Sequence, residues 1–299
     1  MSQRLSASLA ENLRVLEEKF GDSADYYAKK LRFGAVPAAI VMFDGISSVQ
    51  NLWNILLDAA SGTWALGGRL RLAKDGAAAF ALLLHASDLP AEPAPVADWP
   101  AAVRALTAGM ALVLLDGCPQ AIAFSVQSFA YRAVSAPSAE GNLRGSREGF
   151  TELLRVNISL LRRLIRTDTL VIEAAQCDTA TRTEYALCYV RGAADPEKLE
   201  KLRRRLQSAR PPVLLDSSYF APWLRPEPFR LFSPFGYTER PAVAAAKLCE
   251  GKAVILVNGS PSAMIVPYLF AENFECLDDY GGTAYFATLL RLLNMRPSC

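Results

Sequence analysis

Two stretches of this chain echo each other, and they restrict its fold more than any other feature. Ala111-Leu112-Val113-Leu114-Leu115 leads through Asp116-Gly117-Cys118-Pro119 into Ala121-Ile122-Ala123-Phe124. Much later, Ala253-Val254-Ile255-Leu256-Val257 leads through Asn258-Gly259-Ser260-Pro261 into Ala263-Met264-Ile265-Val266. Each reads as a helix closed by a glycine, a strand, a turn and a second strand, because Asp-Gly and Asn-Gly both tolerate the positive φ of a tight turn. The pattern is either the mark of two subdomains that finish on the same unit or a common strand–turn–strand element found twice. Under the first reading the boundary falls within Ser135 to Gly145, which is rich in Ser, Pro, Ala and Gly. That gives a first α/β subdomain over residues 1–135, a second over 136–275, and a helical tail over 276–299. The expected fold class is α/β (mixed α+β), with two subdomains of mixed sheets flanked by helices.

The chain has 299 residues, 52% of them hydrophobic and 21% charged, which is the profile of a globular protein able to bury a core. Its 32 basic and 30 acidic side chains leave a net charge of +2, so bulk charge gives no reason to expect a nucleic-acid partner. Six cysteines are scattered without a C-x-x-C pair, which fits buried free thiols rather than a disulfide frame or a zinc site. Cys177 and Cys188 fall in neighbouring expected strands. The N-terminus lacks the apolar core of a signal peptide, and nowhere is there a run of about 20 apolar residues, so the chain is expected to be soluble.

Along the chain, Ser8-x-x-Glu11 reads as a capping box for a helix that stops at Gly21. Asp22-Ser23 is expected to cap a second, short helix through Tyr26 and Tyr27. Ala38 to Phe43 is an apolar strand closed by Asp44-Gly45, followed by a helix from about Ser47 to Ala60. Gly67-Gly68 and Asp75-Gly76 punctuate an expected pair of strands, and Leu89 to Pro100, with four prolines, reads as a loop. The second half reads as strands over Leu170 to Ala175 and Thr181 to Val190, then a helix opened by Asp195-Pro196. A short strand at Val213 to Leu215 and a helix after Pro241 complete it.

The richest segment is Glu140 to Arg166. A glycine-punctuated loop enters Ser146-Arg147-Glu148-Gly149-Phe150-Thr151-Glu152 and opens an expected helix dense in leucine and arginine. On a wheel, Phe150, Leu153, Leu154, Ile158, Leu161, Leu164 and Ile165 share one face, while Arg155, Arg162 and Arg166 stack along another with Glu148 near the start. That arginine stripe is either a solvated face or a surface for an acidic partner. Asn157 falls on the apolar face, where an unpaired amide is unfavourable, so a hydrogen bond to backbone in the adjoining loop is expected. Glu239-Arg240-Pro241 sits where a proline-rich loop enters a helix and reads as a structural clamp.

The catalytic inventory is thin. The one histidine, His85, follows an apolar run and reads as a core or strand-end residue. No zinc-ligand cluster, phosphate-binding glycine loop or nucleophile elbow is present. The chain is therefore expected to be no enzyme and to need no metal or cofactor.

The Glu148-Gly149-Phe150-Thr151-Glu152 segment with Asn157 and its arginines resembles the corresponding segment of GerA-type spore germination proteins, in the soluble N-terminal part of the A subunit. The second block, Glu239-Arg240-Pro241, Gly251-Lys252, Asn258-Gly259-Ser260-Pro261 and Ile265-Val266-Pro267, is similar to a second motif of that family, in the same order. Asn258 stands where the family has Asp, which should keep the turn and remove a charge. The resemblance implies a germinant-receptor subunit that assembles with B-type and C-type subunits, and with copies of itself, at the cytosolic face of the spore inner membrane. It implies ion conduction by the complex; the partner contacts expected from the wheel, if the stripe is not simply a solvated face, run through Arg155, Arg162, Arg166 and Glu148. A related sporulation branch shares the same soluble region. Where the family continues into membrane spans this sequence stops at Cys299, so either the spans are missing or this is a shortened relative that cannot conduct ions alone. The rival reading is a soluble small-molecule-binding module with a ligand cleft between its two subdomains.

Overall fold

Val36 to Phe43 is an unbroken apolar run, and a strand of that kind must be covered on both faces. A computed structural model describes residues 4–48, 50–52, 73–85, 93–127, 148–225 and 233–268. The chain divides into two units, Met1–Tyr131 with Ile165–Ile172, and Arg132–Leu164 with Glu173–Cys299. The boundary expected within Ser135 to Gly145 and the tail over 276–299 both lie outside the described residues.

In the first unit, helix α1 (Leu9–Phe20) precedes strands β1 (Tyr26–Phe33) and β2 (Val36–Phe43). Helix α2 (Gly76–Leu84), strand β3 (Pro93–Val96), helix α3 (Trp99–Thr107) and strands β4 (Ala111–Leu115) and β5 (Ala121–Phe124) follow. The sheet order is β1-β2-β4-β5-β3, antiparallel at every step. Alternate side chains point to opposite faces. Thus Ala38, Ile40 and Met42 pack with Val113, Ile122 and the α2 residues Phe80 and Leu83. Ala39, Val41 and Phe43 pack on the other face with Leu112, Leu114 and residues of α1 and α3.

The second unit runs through helix α4 (Leu154–Leu164), strand β6 (Leu170–Gln176), whose first three residues group with the first unit, strand β7 (Glu184–Val190) and helix α5 (Pro196–Ser208). A 3-10 turn (Ser217–Phe220) continues into the short helix α6 (Ala221–Leu224). Strand β8 (Gly236–Thr238), helix α7 (Pro241–Cys249) and strands β9 (Ala253–Val257) and β10 (Ala263–Val266) complete it. Its sheet order, β6-β7-β9-β10-β8, repeats that of the first unit strand for strand. The echo in the sequence therefore extends beyond the two hairpins to a whole arrangement of helix, strand pair, edge strand, helix and hairpin. The α+β class holds, with antiparallel pairings.

Several local expectations are corrected. Tyr26 and Tyr27 begin strand β1, not a helix, because eight consecutive residues pair in register with β2. Asp75-Gly76 is no strand turn: Asp75 caps α2 by accepting from the Ala78 N–H, and His85 is the exposed C-cap of that helix. The proline-rich loop contains strand β3, which tolerates Pro93 and Pro95 because it lies at a sheet edge. Val213 to Leu215 is not a strand. The helix expected from Ser47 is present over residues 50–52 and otherwise lies outside the described residues, as does the Gly67-Gly68 region. Cys118, Cys177 and Cys188 are buried free thiols, and Cys249 is an exposed one.

Candidate interaction site

Helix α4 starts at Leu154, not near Ser146; residues 148–153 are irregular. The reason is a side chain inside the helix. Asn157 is wholly buried, and its Oδ1 accepts the Thr151 N–H at 2.8 Å and the Thr151 hydroxyl at 3.3 Å. Its Nδ2 donates to the Thr151 carbonyl at 2.6 Å. This two-way clasp holds the incoming chain away from helical geometry, in the place the amide was expected to occupy.

The first free N–H of α4 is capped from a distance. Leu154 N–H donates to Asn258 Oδ1 at 3.1 Å, across 104 positions. The next turn residue, Gly259, donates its N–H to the Glu152 carbonyl at 2.7 Å, with φ of +94° that a side chain would strain. Phe150 N–H donates to the Glu239 carbonyl at 2.7 Å, and α4 packs on α7. Thus the two motifs legible in the sequence converge on the N-terminal end of one helix. Arg240 is buried as the N-cap of α7, with Pro241 at its first position and its own N–H donating to Thr238 Oγ1 at 3.1 Å. Ser260 and Ser262 donate to Asp216 Oδ2, the latter at 3.0 Å, and Ser218 N–H donates to Oδ1 at 2.8 Å. Burial works to raise the Asp216 pKa, and these donors outweigh it, so the carboxyl titrates below the ordinary aspartate value.

The first unit carries the same latch. Leu9 N–H donates to Asp116 Oδ1 at 3.0 Å, and Gly117 N–H to the Ala7 carbonyl at 2.8 Å. Asn12 clasps Ser6 in both directions, at 2.9 and 2.7 Å. Asp116 and Asn258 therefore do one job, and the job needs an acceptor oxygen rather than a charge. Asn258→Ala is expected to destabilise by about 0.5–2 kcal/mol as a lost cap. Asn258→Asp should stabilise by roughly 0.3–1 kcal/mol through the helix dipole. Urea titrations in which the two variants move the midpoint in the same direction would refute this role.

Of the expected partner-binding residues, Arg155 and Arg166 are exposed, and Glu148 is bonded to Arg163. Arg162 is not part of an exposed stripe: it is 0% accessible, as buried as Leu161 before it. Arg155 and Arg162 differ by only about 20° on a helical wheel, so periodicity alone cannot separate them. Conversely Leu153 and Leu164, placed on the apolar face by the wheel, are 62% and 43% exposed. Leu215, whose carbonyl faces Gly259, is 55% exposed. At the matching points of the first unit, just before the capped helix residue and just before the capping Asp75, stand exposed Ser8 and Lys74.

Residues 14–296 match the family model described as Bacillus/Clostridium GerA spore germination protein. The chain belongs to the GerA family. It is 29% identical over 294 residues to spore germination protein KA of Bacillus subtilis (strain 168), covering 97% of this chain and 53% of that protein. It is 30% identical over 184 residues to stage V sporulation protein AF of the same organism, covering 61% of this chain and 37% of that one. This GerA-family chain thus spans about half or less of the length of these relatives. Its fold matches the crystal structure of the N-terminal domain of the A subunit of the Bacillus megaterium spore germinant receptor GerK3, with a TM-score of 0.70 and 26% identity. That match covers 90% of this chain and 98% of the other. Among the described residues no helix is long and apolar enough to cross a membrane, and no cluster of His, Cys, Asp or Glu could hold a metal ion.

Proposed function

We propose that this domain works by association rather than by chemistry, as the N-terminal region of a germinant-receptor A subunit in nutrient-triggered germination. Its partners are B-type and C-type subunits and further copies of the A subunit, at the cytosolic face of the spore inner membrane, in a complex that conducts ions. The observation that carries this reading is the pair of exposed leucines, Leu153 and Leu215, beside the turn at Asn258-Gly259. The fold does not require them, since the same latch in the first unit is flanked by Ser8 and Lys74. Exposed apolar side chains that the scaffold can do without suit a protein interface. Arg155, one residue into α4, supplies a charge at its rim.

The test replaces Leu153→Ser and Leu215→Lys together, importing the residues that the first unit uses, in the A subunit of a germination-defective strain. The thermal midpoint of the isolated chain should be unchanged, while co-purification with the other subunits and the nutrient response should fall. Normal assembly and normal germination would overturn the reading. Arg155→Glu should weaken assembly more at low salt than at high salt, because exposed charges are screened within about 8 Å at physiological ionic strength.

A further inference from the structure

The second unit holds a cavity of about 500 Å³ where the loop before α5 and the face of α5 from Lys198 to Arg205 meet Leu224 of α6, the start of β9 and the end of β10. Its volume is in the range of small-molecule sites, about 300–1,000 Å³. The inner wall is apolar: Leu202, Leu224 and Phe235 line it and are at most 7% exposed. The rim is ionic. Asp195 and Glu250 are its two carboxylates, and each already has a cation, Lys198 at 3.1 Å and Lys247 at 3.0 Å. Lys247 lies outside the lining; Lys201, Arg205 and Lys252 line the cavity with Lys198, so the described lining residues hold four cations and two carboxylates. Arg205 gives one Nη1 hydrogen bond to the Leu224 carbonyl at 2.8 Å, which fixes its guanidinium at the apolar wall. The Lys252 ammonium lies 5.2 Å from the Tyr268 ring centre. One side of the cavity is set by a close backbone approach. Gly251 has φ of +87°, and a Cβ there would lie 2.4 Å from the Ala193 carbonyl oxygen, so the wall is pre-formed.

We propose that this cavity binds an amphiphilic anion, a carboxylate or phosphate carried on an apolar chain. The apolar wall takes the chain by the hydrophobic effect, at roughly 25 cal/mol per Å² removed from water. Arg205 and Lys201 take the anion by charge-assisted hydrogen bonds. A simple inorganic anion leaves the wall wet, a neutral amphiphile offers Lys201 and Arg205 no charge, and a zwitterion brings a positive group against a lining with four cations and two carboxylates. This site is independent of the receptor reading and of the turn at Asn258.

Calorimetric titration of the full chain with decanoate tests the site, with 1-decanol and acetate as the matched probes lacking charge and chain. Decanoate should bind saturably, one per chain, and the other two should not. Lys201→Gln lies on an exposed side chain and should leave the fold intact. With Arg205→Gln added, affinity should fall about a hundredfold or more, the effect of losing two charge-assisted hydrogen bonds at about tenfold or more each. The source of the anion is decided by flotation with vesicles of phosphatidylglycerol against phosphatidylcholine. Recruitment to the anionic vesicles that decanoate competes away identifies a membrane lipid, and decanoate binding without recruitment identifies a free acid. No saturable binding of decanoate, equal binding of decanol or acetate, or an affinity untouched by the double substitution would each overturn the proposal.

Discussion

Arg162→Glu is expected to lower the stability of the second unit by about 3–5 kcal/mol, the effect of breaking a buried charged group away from its surroundings. Arg162 sits 0% accessible in the last turn of α4, and a guanidinium stays charged at any ordinary pH. A carboxylate there reverses the sign, shortens the side chain and leaves donors and acceptors around it unmatched. Arg162→Lys keeps the charge and loses the planar fork, so its effect should fall between those of wild type and Glu. Arg155→Glu and Arg166→Glu change exposed residues and should stay within about 0.5 kcal/mol. Urea unfolding of the four variants distinguishes the cases, and similar midpoints for Arg155→Glu and Arg162→Glu would show that burial of Arg162 has no energetic weight. The contrast also governs any test of partner contacts: a triple substitution of the arginines would abolish function by unfolding, so only Arg155 and Arg166 report on a surface.

What the sequence made legible was whatever depended on neighbours in the chain. The Ser8 N-cap, the Asp195-Pro196 helix start and both Asp/Asn-Gly turns are local chemistry, and each stands where local chemistry placed it, although the Ser8 N–H bonds to the Ser6 hydroxyl rather than to Glu11 as a full capping box would require. Strands buried on both faces were legible as apolar runs, such as Ala111–Leu115 and Ala253–Val257. What was not legible depended on residues far away. Tyr26–Phe33 mixes Tyr, Ala, Lys and Leu without a strong period and becomes a strand only because Val36–Phe43 offers it a full-length partner. Pro93–Val96 looked like a loop because the position of a strand within a sheet, edge or centre, is not written in the strand. Helix α4 lost its first two turns to Asn157, whose preference for the Thr151 backbone competes with helix continuation. The role of Asn258 had a visible signal, since Asp116 stands in the same place in the echoed turn. The helix that each one caps lies more than a hundred residues away, and only the fold brings them together.

The repeated latch makes the last expectation testable twice in one molecule. Asn157→Leu removes an amide that satisfies both the N–H and the carbonyl of Thr151, and Asn12→Leu does the same at Ser6. Each orphaned backbone group that remains dry should cost about 1–3 kcal/mol, so both variants belong among the strongly destabilised ones. Thr151 and Ser6 are half-buried, so part of the loss can be recovered by water. Asn157 also accepts from the Thr151 hydroxyl, a contact that Ser6 does not make with Asn12, so the loss should be larger at Asn157. The discriminating measurement is amide hydrogen exchange. Asn12→Leu should accelerate exchange in β2 and β4, and Asn157→Leu in β7 and β9, each within the sheet its helix supports. Asn157→Asp keeps the acceptor but sets a carboxylate against the Thr151 carbonyl, so it should be destabilised too, which separates the need for a donor from the need for shape. A Leu variant as stable as wild type at either site would mean that the clasp follows from the fold and does not hold it. In that case the interruption of α4 before Leu154 would need another cause.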